Sequence, residues 1–183
     1  VMSALGAAEL RRGGFEAAVR HLEQSLALFP DQPEARLHLG MAYLGDERPG
    51  DAVAALERAV TALPNHGEGW AKLGDARHAN GAPTGAEEAY RKALGLGFEA
   101  ARRGLGILLA EDFRDDEAAE ALEAAAQLQT EDRALFAALA DVQERRGDLD
   151  RALACYERAV QLEGGVEAAM DGDVLFGYGR ALF

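Results

Sequence analysis

The chain has few of the residues that cross-link proteins, bind nucleic acid or span membranes. A single cysteine, Cys155, excludes an intrachain disulfide and is expected to be a buried structural thiol. Lys and Arg number 19 against 32 Asp and Glu, and the net charge of −13 argues against binding to nucleic acid or to anionic membrane surfaces. No apolar run approaches the ~20 residues of a membrane-spanning helix, and no signal-peptide pattern is visible. We therefore expect neither a nucleic-acid partner nor direct membrane insertion.

Signatures of catalysis, cofactor binding and metal binding are also missing. The Gly-x-Gly triplets at 95–97, 104–106 and 177–179 lack the third glycine of a dinucleotide-binding loop. The four histidines are scattered without the paired spacing of a zinc site, and no serine lies in a nucleophile-elbow sequence. The acidic stretch 111–123 lacks the glycine and spacing of a calcium loop. We interpret it as a solvated face, with a docking patch for a basic partner as the alternative. These observations predict no enzyme, no cofactor and no metal site.

Two sets of small residues share one period along the chain. Both sets have spacings of 34, 34, 32 and 34 residues, which indicates a helical repeat protein. Each unit of such an array contacts its neighbours, so the chain builds an extended surface and not an enclosed pocket. The first set is Gly6, Gly40, Gly74, Gly106 and Ala140, with Gly179 as a less regular sixth member, and the second is Ala18, Ala52, Ala86, Ala118 and Ala152.

Each period is predicted to hold two helices joined by a tight turn. In residues 33–66, apolar residues recur at spacings of three and four on both sides of the segment 45–51. Pro49 is placed to start the second helix, and Pro64 to stop it, as Pro30 stops the helix before. Gly or Ala at the helix crossing lets the two backbones approach closely, and a larger side chain there would overpack.

These residues resemble the tetratricopeptide repeat family, whose pattern is a large residue, Leu-Gly, Tyr, then Ala, an aromatic or Leu, Ala and Pro. The resemblance implies an all-α fold, a right-handed superhelical solenoid of antiparallel helix pairs, and it covers residues 1–166. The units are 1–32, 33–66, 67–98, 99–132 and 133–166. The third unit shows the pattern as Trp70, Leu73, Gly74, Ala86, Tyr90 and Ala93, and the second as Leu39, Gly40, Tyr43, Ala52, Leu56, Ala59 and Pro64.

The chain departs from the family pattern at several positions. The third unit is two residues short and has Gly97-Phe98 where its closing proline should be, which predicts a kink between units three and four. Glu9, Arg77 and Gln143 stand where the family usually has a large Tyr or similar residue, so looser packing or a snorkelled side chain is expected there.

The two ends of the chain fall inside helical patterns. Residues 172–183 are either the first helix of a truncated sixth unit, which we favour, or an end helix that caps the array. Val1 and Phe183 both interrupt such patterns. We therefore expect the chain to be a piece of a longer protein.

The resemblance also implies a partner-binding groove lined by the first helix of each unit. Two alternatives stand for the stripe Leu37, Met41 and Leu44: neighbouring first helices bury it, or it forms an apolar shelf for a partner helix or peptide. The Lys and Asn of the family's carboxylate clamp are largely missing, because the clamp positions hold Ser3, Ala7, His38, Glu68 and Lys72. The groove residues implied are Leu37, Met41, Leu44, Asp75, His78, Arg103, Ile107, Asp141 and Arg180.

The leading hypothesis is a non-enzymatic scaffold or adaptor that binds a protein or peptide partner in this groove. A partner with apolar and basic residues would suit the mixture of apolar and acidic side chains. One alternative is the targeting or regulatory array of a larger enzyme. Another is a self-assembling structural protein, in which the exposed ends pack against a second copy.

Overall fold

The computed structural model describes residues 1–162, which form ten α-helices and no strand. Gly179, Arg180 and the predicted end helix lie outside the described residues. The helices alternate as first and second members of five antiparallel pairs. They are α1 (Met2–Arg11), α2 (Phe15–Leu28), α3 (Pro33–Gly45), α4 (Pro49–Ala62), α5 (Gly67–Ala79), α6 (Pro83–Gly95), α7 (Ala101–Glu111), α8 (Asp115–Leu128), α9 (Arg133–Arg145) and α10 (Leu149–Leu162).

Proline and left-handed backbone set the helix boundaries. Pro33, Pro49 and Pro83 each occupy the first turn of a helix, where the missing N–H costs nothing. The turn within each pair contains one residue with positive φ at the same repeat position. It is glycine in three turns, but Glu47 (φ 56°) and Phe113 (φ 58°) in the other two. The left-handed turn conformation is therefore the same in all five turns, although Glu and Phe rarely adopt a positive φ.

The chain divides into two compact units. The first, Val1–Ala101, contains α1 to α6, and the second begins at Arg102 and contains α7 to α10. The boundary follows the shortened end of the third repeat at Gly97-Phe98. The first unit has a continuous apolar core from Ala18 to Ala89, built largely of alanine, leucine and valine.

Small residues lie at the helix crossings, as predicted. A Cβ placed on Gly40 would lie 2.4 Å from Leu56 Cγ of the paired helix. At Gly74 the nearest atom would be Tyr90 Cδ1, at 2.6 Å. Gly6 and Gly106 are crowded in the same way by a leucine of the paired helix, and Ala140 is fully buried. No room exists at these crossings for a larger side chain.

Within the first unit the first helices lie side by side and the second helices do not. Helix α3 contacts both α1 and α5, whereas a cleft lined by side chains of both helices separates α2 from α4. The second helices are therefore splayed, and α1, α3 and α5 form the inner face of this unit.

A glutamate of the second helix accepts a hydrogen bond from the next first helix at three repeat junctions. We expected looser packing or a snorkelled side chain at Gln143, and this was wrong: Gln143 is only 1% exposed, and Glu123 accepts a hydrogen bond from its amide. A buried amide with a carboxylate partner avoids the cost of an unsatisfied polar group. The three bonds are Tyr43 Oη to Glu23 at 2.5 Å, Arg77 Nη2 to Glu57 at 2.9 Å and Gln143 Nε2 to Glu123 at 2.7 Å.

Candidate partner-binding face

The apolar stripe of α3 is largely covered by neighbouring helices. Leu37 is 5% exposed and packs close to Val60 of α4 and Gly69 of α5. Met41 and Leu44 are half-buried and pack against the core of the first unit. Leu37 is therefore a core residue, and only Met41 and Leu44 of this stripe offer partly accessible apolar surface.

Asp75 of α5 has two partners within the chain. Its carboxylate accepts a hydrogen bond from Tyr90 Oη at 2.9 Å and pairs with Lys72 Nζ at 2.8 Å. His78 lies one turn further along α5 and is half-buried. The acidic charge of Asp75 is thus partly neutralised, and the carboxylate is held in one position.

His38 of α3 lies among charged side chains of three first helices. Burial lowers the pKa of His38 below its usual value, and the Glu68 carboxylate opposes that shift. Arg11 of α1 also lowers this pKa, and Glu34 raises it. Because burial dominates, the imidazole is neutral at pH 7 and presents one donor and one acceptor.

In the second unit, Arg103 and Asp141 are engaged in internal contacts. Arg103 of α7 donates through Nε to Asp132, the residue that caps the N-terminus of α9. Asp141 of α9 accepts a hydrogen bond from Tyr156 Oη at 2.5 Å. Ile107 is half-buried on α7. Arg103 therefore holds α7 against the start of α9, a role that inspection of first helices alone missed.

The two aspartates follow a rule that is readable in the sequence. Each comes directly after a helix-crossing residue, and each faces a tyrosine that lies 15 residues further along the chain. Where the second helix carries a leucine at that crossing, as at Leu56 and Leu122, the matching position holds Met41 or Ile107. A polar residue on the first helix is thus matched by tyrosine on the second helix, and an apolar residue is matched by leucine.

The face formed by α1, α3 and α5 offers binding contacts but no evident reaction chemistry. Met41 and Leu44 lie on α3 of this face, and Glu68, Lys72 and Asp75 lie on α5. Among residues 1–162 no group of His, Cys, Asp or Glu is arranged to hold a metal ion. The same residues include no helix long and apolar enough to cross a bilayer.

Comparison with known families identifies the repeat. Models described as tetratricopeptide repeat match residues 3–66 and 39–99, and another such model matches residues 134–167. Together they cover more than half of the chain. The chain belongs to the tetratricopeptide repeat family. The matches leave out most of the fourth repeat, where the structure nevertheless forms the pair α7 and α8.

Solved structures of tetratricopeptide repeat proteins share the fold. A thermophilic repeat protein of Thermus thermophilus, TTC0263, is 25% identical with a TM-score of 0.72, and the match covers 99% of this chain and 97% of that one. MamA is 24% identical with a TM-score of 0.73, covering 89% and 90% of the two chains. PilW, a type IV pilus biogenesis factor, is 19% identical with a TM-score of 0.83, covering 99% and 84%. No curated protein matches the sequence.

Membership of the tetratricopeptide repeat family confirms the predicted fold class, an all-α repeat solenoid. The family consists typically of non-catalytic scaffolds, and membership indicates a protein-interaction scaffold in general.

Proposed function

We propose that the first unit binds a segment of a partner protein along the face of α1, α3 and α5, without catalysis. The observation that carries this proposal is the side-by-side packing of these three helices, with α2 and α4 splayed apart. Such an arrangement presents one continuous surface to a partner, as expected for helical repeat arrays.

The chemistry of this face favours a partner with apolar and basic side chains. Met41 and Leu44 supply adaptable apolar contact, and Met is well suited to pack against irregular shapes. Glu68 and Asp75 lie on the neighbouring helix α5; Glu68 favours positive charge there, while Asp75 already pairs with Lys72.

Affinity capture with a charge-matched control tests the proposal. The unaltered chain, Met41→Glu and Gln24→Glu would each be used to capture proteins from a lysate of the native source. Both substitutions add one negative charge, but Gln24 is exposed on α2, away from the proposed face. We expect a partner that Gln24→Glu retains and Met41→Glu loses, while circular dichroism shows equal helix content for all three.

Each other outcome contradicts groove binding by the first unit. Partners lost by neither variant would mean that binding uses another surface. Capture of a second copy of the chain itself, insensitive to Met41→Glu, would favour self-assembly.

A further inference from the structure

A cleft lies between α2 and α4, on the side of the first unit that the proposed function does not use. Its volume is about 480 Å³, and Leu39 and Tyr43 of α3 form its floor. Leu26 of α2 and Ala55 of α4 line its walls. A volume of ~300–1,000 Å³ is typical of clefts that hold a drug-sized ligand.

The cleft carries opposite charges at its two ends. Helices α3 and α4 are antiparallel, so Arg36 in the first turn of α3 lies at the same end as Arg58 in the second half of α4. Arg36 donates to the Pro30 carbonyl at 2.6 Å, and Arg58 makes no ion pair within residues 1–162. Glu23 and Asp51 line the other end.

At the acidic end of the cleft, a tyrosine and an arginine contact the two carboxylates. Tyr43 Oη donates to Glu23 at 2.5 Å, and Arg48 lies 4.5 Å from the centre of the Tyr43 ring while it pairs with Asp51 at 2.6 Å. Burial together with the Glu23 carboxylate raises the pKa of Tyr43 to about 12, so this hydroxyl stays a donor. The Glu23 carboxylate therefore accepts one hydrogen bond from Tyr43, but it makes no ion pair within the described residues.

At the equivalent positions of two other repeats, an arginine joins the two second helices. Arg77 donates to Glu57 of α4 at 2.9 Å and to the Gly85 carbonyl of α6 at 3.0 Å. In the second unit, Arg151 of α10 reaches Glu123 of α8 at 3.3 Å. In the pair α2 and α4, Asp51 occupies the repeat position of Arg151. Tyr43 occupies the repeat position of Arg77, and its hydroxyl donates a hydrogen bond to α2 only. Among the described residues, no cation joins these two helices across the cleft.

We propose that the cleft between α2 and α4 binds a short extended segment of a partner protein, in which an apolar side chain lies between an acidic and a basic residue. The apolar side chain would pack on Leu39 and Ala55, with the basic group beside Glu23 and the acidic group beside Arg58. Arg36 and Tyr43 are seven residues apart on α3, which is about 10 Å along the helix axis. An extended segment spans this distance in about three residues, at ~3.3 Å each.

Peptide titration followed by amide NMR tests the proposal. The probe is acetyl-Gly-Glu-Ala-Leu-Lys-Gly-amide, and the comparison peptide carries Lys in place of Glu. The proteins are the unaltered chain, Arg58→Glu and the control Arg12→Glu, which makes the same change of charge at an exposed residue outside the cleft. Arg58 is exposed, so Arg58→Glu is expected to keep the helix content of the parent by circular dichroism.

The expected result is a switch of preference. The Glu-containing peptide shifts the amide signals of Leu39, Tyr43 and Ala55 in the unaltered chain, and Arg58→Glu weakens its binding about fivefold, the effect of one exposed ion pair. The Lys-containing peptide gains affinity by a similar factor for Arg58→Glu, and Arg12→Glu shows neither change.

Three results would overturn the proposal. One is the absence of any shift at about 1 mM peptide, which corresponds to a binding free energy weaker than about −4 kcal/mol. Another is a set of shifts centred on Met41 and Asp75, which would assign the peptide to the face of α1, α3 and α5. The third is equal behaviour of Arg58→Glu and Arg12→Glu, which would show attraction by net charge alone.

Discussion

The Tyr90 hydroxyl of α6 donates a 2.9 Å hydrogen bond to the Asp75 carboxylate of α5. Tyr156 and Asp141 repeat this relationship in the second unit at 2.5 Å. Both aspartates belong to the implied groove, yet both also hold a helix pair together. A substitution at either position therefore changes stability as well as any binding, and the two effects have to be measured separately.

The Tyr90–Asp75 bond should appear as a coupling energy in a double-mutant cycle. We expect Tyr90→Phe and Asp75→Ala each to destabilise the chain, because each removes the hydrogen bond between these two side chains. The coupling should be about 1 kcal/mol, measured from urea unfolding of the two single variants and the double variant. Strictly additive effects would show that the bond contributes nothing to stability in solution.

Gly40→Ala should destabilise the chain, whereas Gly50→Ala should not. A Cβ at Gly40 would lie 2.4 Å from Leu56 Cγ, so the helix crossing would have to open at a cost of about 1 to 3 kcal/mol. Gly50 lies in the first turn of α4, and a Cβ there would lie 3.6 Å from its nearest neighbour, Asn80 Oδ1. Alanine at this position should therefore be neutral or stabilising by up to about 1 kcal/mol. Urea midpoints of the two variants test this, and equal midpoints would contradict the close crossing.

Phe113→Gly should be more stable than Phe113→Ala. Phe113 has a φ of 58° and is 76% exposed, and its ring lies 5.5 Å from the Arg145 guanidinium. Both variants lose the ring, but only glycine adopts this backbone conformation freely, which should favour it by about 1 kcal/mol. Thermal or urea unfolding of the pair measures the difference. Equal stabilities would mean that the turn relaxes out of the left-handed region in solution.

The burial of His38 should make the chain less stable as the pH is lowered. Burial lowers the pKa of His38 from 6.5, so the unfolded chain binds the proton more tightly than the folded chain. The contribution of neutral His38 to the free energy of unfolding is therefore fully present above about pH 6.5, and it is lost as the pH falls through and below that value. His38→Gln should lose less stability than the parent between pH 8 and pH 5, as measured by urea unfolding. Parallel pH curves for the two proteins would contradict this account.

The fold could be predicted because its determinants are local or periodic. Pro49 marks the start of α4 by its fixed φ, and the 34-residue period of Gly6, Gly40 and Gly74 identifies the crossings without knowledge of the partner side chain. Neither inference needs a distance between remote residues. The prediction at Gln143 failed because it considered the residue alone, while its burial depends on Glu123, 20 residues earlier on another helix.

The candidate site was less predictable for the same physical reason. The groove positions are defined on single helices, but whether a side chain there is accessible depends on contacts 15 to 30 residues away. Leu37 is buried because α4 and α5 pack over it, and Arg103 is occupied by Asp132. The pairing of aspartate with tyrosine was available from the sequence, because Asp75 and Asp141 have Tyr90 and Tyr156 at one fixed offset.

The glutamate at the repeat junctions has a consequence for how such a chain can grow. Glu23, Glu57 and Glu123 occupy one repeat position, and three chemically different donors satisfy them: a phenol, a guanidinium and an amide. A duplicated helix pair would therefore bring an acceptor that any of these donors can use. At the junctions that keep this glutamate, the donor on the next repeat can therefore change without a compensating substitution at the acceptor.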